Sequence, residues 1–89
     1  MDIHTALNAR EQLDLLRLKL EARGWLADMR GSDAHPLLHV RNPADHAFHD
    51  SVAFKNGTFC WNWGSELGSA DSIDQVADAI MHVLRVVVQ

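Results

Sequence analysis

The stretch Val52-Ala53-Phe54-Lys55-Asn56-Gly57-Thr58-Phe59-Cys60-Trp61 decides how this chain folds. Asn56-Gly57 is the strongest short hairpin signal, because a type I′ turn needs positive φ at both central residues and these two types supply it with little strain. A two-residue turn also sets the register. Lys55 pairs with Thr58, Phe54 faces Phe59, Ala53 faces Cys60 and Val52 faces Trp61. One face then carries Val52, Phe54, Phe59 and Trp61, and the other carries Ser51, Ala53, Cys60 and Asn62. Trp63 shares the parity of Trp61 and falls opposite Asp50 at the strand end.

Outward from the hairpin, short segments bounded by turn residues predict strands over 25–30, 37–41, 51–55 and 58–63. Polar breaks at 31–36, 42–50 and 64–71 read as loops. Residues 3–23 carry leucines at helical spacing and stop at Gly24, the residue type best able to close a helix in the left-handed region. With Gly24 at C′, Trp25 and Leu20 take the positions whose apolar contact accompanies a Schellman cap. Residues 72–88 predict a second helix, with Ser72 and Gln75 at capping-box spacing and Ile73, Val76, Ala77, Ile80, Leu84 and Val87 on one arc. The β-branched run Val86 to Val88 weakens its end, so residues 85–89 are left unassigned. The fold class is α+β: an N-terminal helix, an antiparallel meander of three to four strands, and a C-terminal helix packed on one sheet face.

Eighty-nine residues allow one core, so 1–89 reads as a single domain. Hydrophobic residues at 47% against 22% charged place it among folded domains rather than disordered ones. A net charge of −4, with no run of Lys or Arg, argues against nucleic acid as a partner. The longest strictly apolar run, Val86-Val87-Val88, is far below the roughly 20 residues that cross a bilayer, and the N-terminus has no basic segment leading into an apolar core. A lone cysteine, Cys60, rules out an internal disulfide. The expectation is a cytoplasmic protein with no membrane partner.

The first helix has two apolar faces. Ala6, Ala9, Leu13, Leu16 and Leu20 cluster on one side, as a core-facing stripe should. Leu7, Leu15, Leu18 and Ala22 lie on nearly the opposite side, set off by Arg10, Asp14, Arg17 and Glu21 on one flank and Gln12, Lys19 and Arg23 on the other. Exposing three leucines forgoes roughly 1.5–3 kcal/mol each relative to full burial. A homodimer through this helix, or another protein docked on it, would cover them. The competing reading is a monomer, on which isolated exposed leucines are normal, or one with loop 42–50 and its Phe48 folded over that face.

Candidate chemistry is sparse. Asp45-His46-Ala47-Phe48-His49-Asp50 places two imidazoles and two carboxylates within six positions, a set suited to zinc if a helical turn brings them together. The spacing matches no established ligand motif, and a third element would have to contribute His39 or His35. A solvated loop with turn hydrogen bonds accounts for the same residues. Cys60 faces Ala53, which offers no base, so no thiol nucleophile is expected. Ser51, Ser65 and Ser69 lack a nucleophile-elbow context, and the glycines form no phosphate loop. Trp61 and Trp63 share the parity of the predicted core, and Trp63, beside Gly64, is the one placed to touch a partner.

Arg23-Gly24-Trp25 after a leucine-rich helix, Pro36-Leu37-Leu38-His39-Val40-Arg41-Asn42-Pro43, Trp61-Asn62-Trp63-Gly64, and a closing helix with Ala77, Ile80, Val83 and Leu84 form a pattern over most of residues 13–84. It resembles small proteins of unknown function abundant in actinobacteria. The resemblance implies a helix, antiparallel strands and a closing helix. It carries no catalytic residue, and its one functional hint is that some members neighbour DNA-binding regulators.

The expected function is therefore a non-catalytic protein-interaction module, dimeric and regulatory, using Leu7, Leu15, Leu18, Ala22 and Trp63 or the open sheet face, with no cofactor. The alternatives are a zinc-binding protein using Asp45, His46, His49 and Asp50, or a small-molecule-binding domain.

Overall fold

The computed structural model describes the backbone of residues 5–32, 34–45 and 47–85, and the side chains of that set from residue 9 onward. Helix α1 (Thr5–Ala22) is followed by β1 (Leu26–Gly31), β2 (Pro36–Arg41), β3 (His49–Lys55), β4 (Thr58–Trp61) and β5 (Glu66–Ser69). A 3-10 turn over Ala70–Ser72 then leads into α2 (Ile73–Leu84). The five strands form one antiparallel sheet in the order β1-β2-β3-β4-β5.

The hairpin that anchors the sheet has the expected register, with Lys55 opposite Thr58, Phe54 opposite Phe59, Ala53 opposite Cys60 and Val52 opposite Trp61. Asn56 and Gly57 hold φ of 53° and 78°, as a type I′ turn requires. Phe54 and Phe59 meet edge to face with ring centroids 4.8 Å apart, a favoured geometry for an aromatic pair.

Helix α1 ends where the sequence predicts, because Gly24 enters the left-handed region at φ 82°. The Trp25 amide donates to the Leu20 carbonyl at 3.0 Å and the Gly24 amide to Glu21 at 2.9 Å, the two bonds of a Schellman motif. The cap turns the chain directly into β1 and brings Trp25 against the core.

Three expectations need correction. The segment 64–71 is not all loop: Glu66–Ser69 forms a fifth strand. It pairs with β4 through a register irregularity between Phe59 and Cys60, which a regular alternation of apolar residues would not announce. The β4 strand stops at Trp61 rather than 63, because the chain turns there, with the Gly64 amide donating to the Trp61 carbonyl at 2.8 Å. Ser72 precedes α2 but makes no side-chain cap hydrogen bond, since the 3-10 turn already leads the chain into the helix.

Both helices cover one sheet face. Helix α1 packs on β1, β2 and β3, α2 packs on β5, and the helices touch each other. Leu13, Leu16 and Leu20 of α1, Leu38 and Val40 of β2, Val52, Phe59, Trp61, and Val76, Ala77, Ile80 and Leu84 of α2 form the buried core. Gly68 stands where α2 approaches the sheet: a Cβ there would lie 2.9 Å from a Val76 methyl. Asn42, the buried polar residue among those described, donates from Nδ2 to the Leu84 carbonyl at 2.9 Å and so closes the end of α2. Its Oδ1 accepts from the Ala44 amide at 2.7 Å. Val87 and the other residues beyond 85 lie outside the described set.

Candidate functional site

Helix α1 has one stripe in the core and another uncovered. Leu13, Leu16 and Leu20 are fully buried, while Leu15 and Leu18 are 48% and 49% exposed and Ala22 is exposed. The Leu7 side chain lies outside the described residues. Phe48, proposed to bring its loop over this stripe, is itself exposed. Its amide donates to the Asp45 carbonyl and its carbonyl accepts from the Asn42 amide, so the loop closes on itself.

Charged rims frame the uncovered stripe. On one flank Arg17 bridges Asp14 and Glu21, donating from Nε to Asp14 at 2.8 Å and from Nη1 to Glu21 at 2.9 Å. The bond to Asp14, more than the attraction of Glu21, pushes the Arg17 pKa above its already high value. On the other flank Lys19 reaches Asp74 of α2 at 3.2 Å, and Arg23 reaches Asp78 at 3.5 Å. These exposed pairs contribute little stability, but they fix where the charges stand.

Trp63 is the most exposed large apolar side chain among the described residues, at 65%. It is held rather than loose: its indole Nε1 donates to Asp50 Oδ2 at 2.7 Å, and its ring lies parallel to that of Trp61 with centroids 6.1 Å apart. Trp61, by contrast, is in the core.

The His/Asp segment is spread out. Asp45 Oδ1 accepts from the Ala47 amide at 3.0 Å and Asp50 Oδ1 from the Ser51 amide at 2.8 Å. His49 and Asp50 are consecutive in β3, so their side chains leave opposite faces of the sheet. His46 lies outside the described residues. Among the described residues, no three His, Cys, Asp or Glu side chains come together as a metal site. Cys60 is buried opposite Ala53. A cleft of about 340 Å³ beside α1 is lined by Arg10, Glu11, Asp14 and Met29, a largely charged wall.

His39, which the sequence reading named as a residue that another element would have to bring to this segment, does meet His49, although the cations around the pair were not foreseen. His39 and His49, on neighbouring strands, bring their ring centroids to 5.0 Å on the sheet face away from the helices. The alternation Leu37, His39, Arg41 against Leu38, Val40 in β2 would have put His39 and Arg41 on that face. The register of β2 with β3 was not readable, because a loop rather than a tight turn joins them.

No protein family, characterised protein or solved structure matches the chain in sequence or fold. No described helix is long and apolar enough to cross a membrane.

Proposed function

We propose that this protein is a non-catalytic interaction module that pairs with a second copy of itself through the outer face of α1. One observation carries the reading: Leu15 and Leu18 remain half exposed on a helix whose opposite leucines are fully buried. Burying both would recover about 0.8–1.5 kcal/mol per side chain, since about half of each is still in water.

A second copy is the favoured occupant because both rims are already charge-balanced within one chain: Arg17 bridges Asp14 and Glu21 on one side, and Lys19 and Arg23 pair with Asp74 and Asp78 on the other. Neither rim calls for a strongly charged partner, and the same leucine strip on a second copy, brought up by a two-fold axis, covers Leu15 and Leu18. Trp63, rigidly held yet mostly exposed, has the properties of an interface anchor.

Size-exclusion chromatography with light scattering tests the proposal. The wild type should elute with twice the mass of one chain, and the double variant Leu15→Asp with Leu18→Asp should elute with the mass of one. A double variant that keeps the doubled mass would remove α1 from the interface.

A further inference from the structure

The sheet face turned away from both helices carries a compact set of cationic and protonatable side chains. Asp28 and Arg30 come from β1, His39 and Arg41 from β2, and His49 and Ser51 from β3. Strand pairing sets Asp28 opposite His39, His39 opposite Ser51, and Arg41 opposite His49. His39 Nδ1 lies 3.3 Å from Ser51 Oγ. Asp28 is the only carboxylate of the six, and its Oδ2 stands 3.6 Å from Arg30 and 3.8 Å from Arg41. Both distances are longer than a direct hydrogen bond. Arg41 Nε is buried and donates to no acceptor. A single carboxylate therefore answers two guanidinium groups, on a chain whose net charge is −4.

The sign of this patch selects its ligand. Burial lowers the His39 pKa, and the positive charges of Arg30, His49 and Arg41 lower it further, with Asp28 opposing them. Burial disfavours charge of either sign, but the positive groups around His39 discourage a zinc ion there and favour an anion. Guanidinium groups donate well to the paired oxygens of a phosphate, and the Ser51 hydroxyl adds a neutral donor.

We propose that this patch binds a tetrahedral dianion, a phosphate group, gripped by Arg30 and Arg41 with His39, His49 and Ser51 as further donors. Two arginines and one aspartate leave a single positive charge. A carboxylate ligand balances that charge, whereas a dianion carries a further negative charge that more strongly favours a proton on His39. The linkage has a definite sign. A bound dianion favours protonated imidazole, so affinity is greatest at low pH and falls as pH rises through the imidazole titration, by up to about tenfold per pH unit above it. The site lies on the opposite side of the sheet from α1 and does not depend on self-association.

Sulfate is the probe of choice, because it stays doubly charged across the pH range in which histidine titrates. Nuclear magnetic resonance titration of the full chain with sulfate, at ionic strength held constant with chloride, should move the His39 and His49 ring signals saturably. Affinity should fall as pH is raised from about 5.5 to about 7.5, and acetate, with one charge fewer, should show a shallower fall. The variant Arg30→Gln with Arg41→Gln should lose saturable binding; Arg30→Gln alone, at an exposed position, should weaken it if the double variant does not fold. Leu15→Asp with Leu18→Asp should bind as the wild type does. Inorganic phosphate and glycerol 3-phosphate then separate the sources of the anion: saturable binding of either supports the site, and the tighter of the two names the source. A response matched by chloride alone, sulfate affinity independent of pH, or unchanged binding after loss of the arginines would overturn the site itself.

Discussion

Helix α2 hides nearly all of its apolar side chains within one chain, and α1 does not. In α2, Val76, Ala77, Ile80 and Leu84 are buried and Ile73 and Met81 pack against the core, which leaves Val83 as a lone exposed residue. Among the described side chains of α1, three leucines are fully buried and two stand half in water on the far side. Both helices rest on the same sheet face, so the difference lies in their sequences rather than in where they sit. One apolar arc is what a helix in a two-layer fold needs. A second arc is surplus to that need, and self-association is the use proposed for it.

Substitutions in the two stripes of α1 should therefore have unlike effects. Leu16→Ala removes a fully buried side chain from the core and should cost about 2–5 kcal/mol, read from the urea midpoint. Next comes Asn42→Ala, which leaves the Leu84 carbonyl without its buried donor and should cost about 1–3 kcal/mol in the same assay. That change tests whether α2 owes its closed end to the loop between β2 and β3. Replacing Lys19 and Arg23 together by Gln removes the contacts to Asp74 and Asp78, and should cost no more than about 1 kcal/mol per pair, less in high salt. Smallest of all, Leu15→Ala at dilutions where chains are single should change stability by no more than about 0.5 kcal/mol. A loss at Leu15 as large as at Leu16 would erase the distinction between the stripes.

The parts of the fold that were legible are those governed by local chemistry. Asn56-Gly57 set a register that the strands follow residue by residue, and Gly24 with Trp25 closed α1 as its spacing implied. The fifth strand was not legible, because Glu66-Leu67-Gly68-Ser69 offers one large apolar residue and a glycine that serves the approach of α2 rather than the strand itself. Trp63 has the parity of the core, but its place at the strand end beside Gly64 pointed to exposure, and the turn at Trp61 carries it toward solvent while Asp50 still reaches it. Asn42 looked like a loop residue, and its burial depends on where α2 ends, which is a tertiary fact. The same holds for the Arg and His patch, assembled from three strands whose mutual register no single segment encodes. On α1 the helical period alone sorted the leucines into two sides, and Leu15 and Leu18 were visible from the outset.

Sedimentation equilibrium of the wild-type chain over a range of micromolar concentrations bears most directly on the surplus face of α1. The account predicts a reversible monomer–dimer equilibrium, with the mass approaching that of two chains as concentration rises. A mass of one chain at every concentration would contradict it.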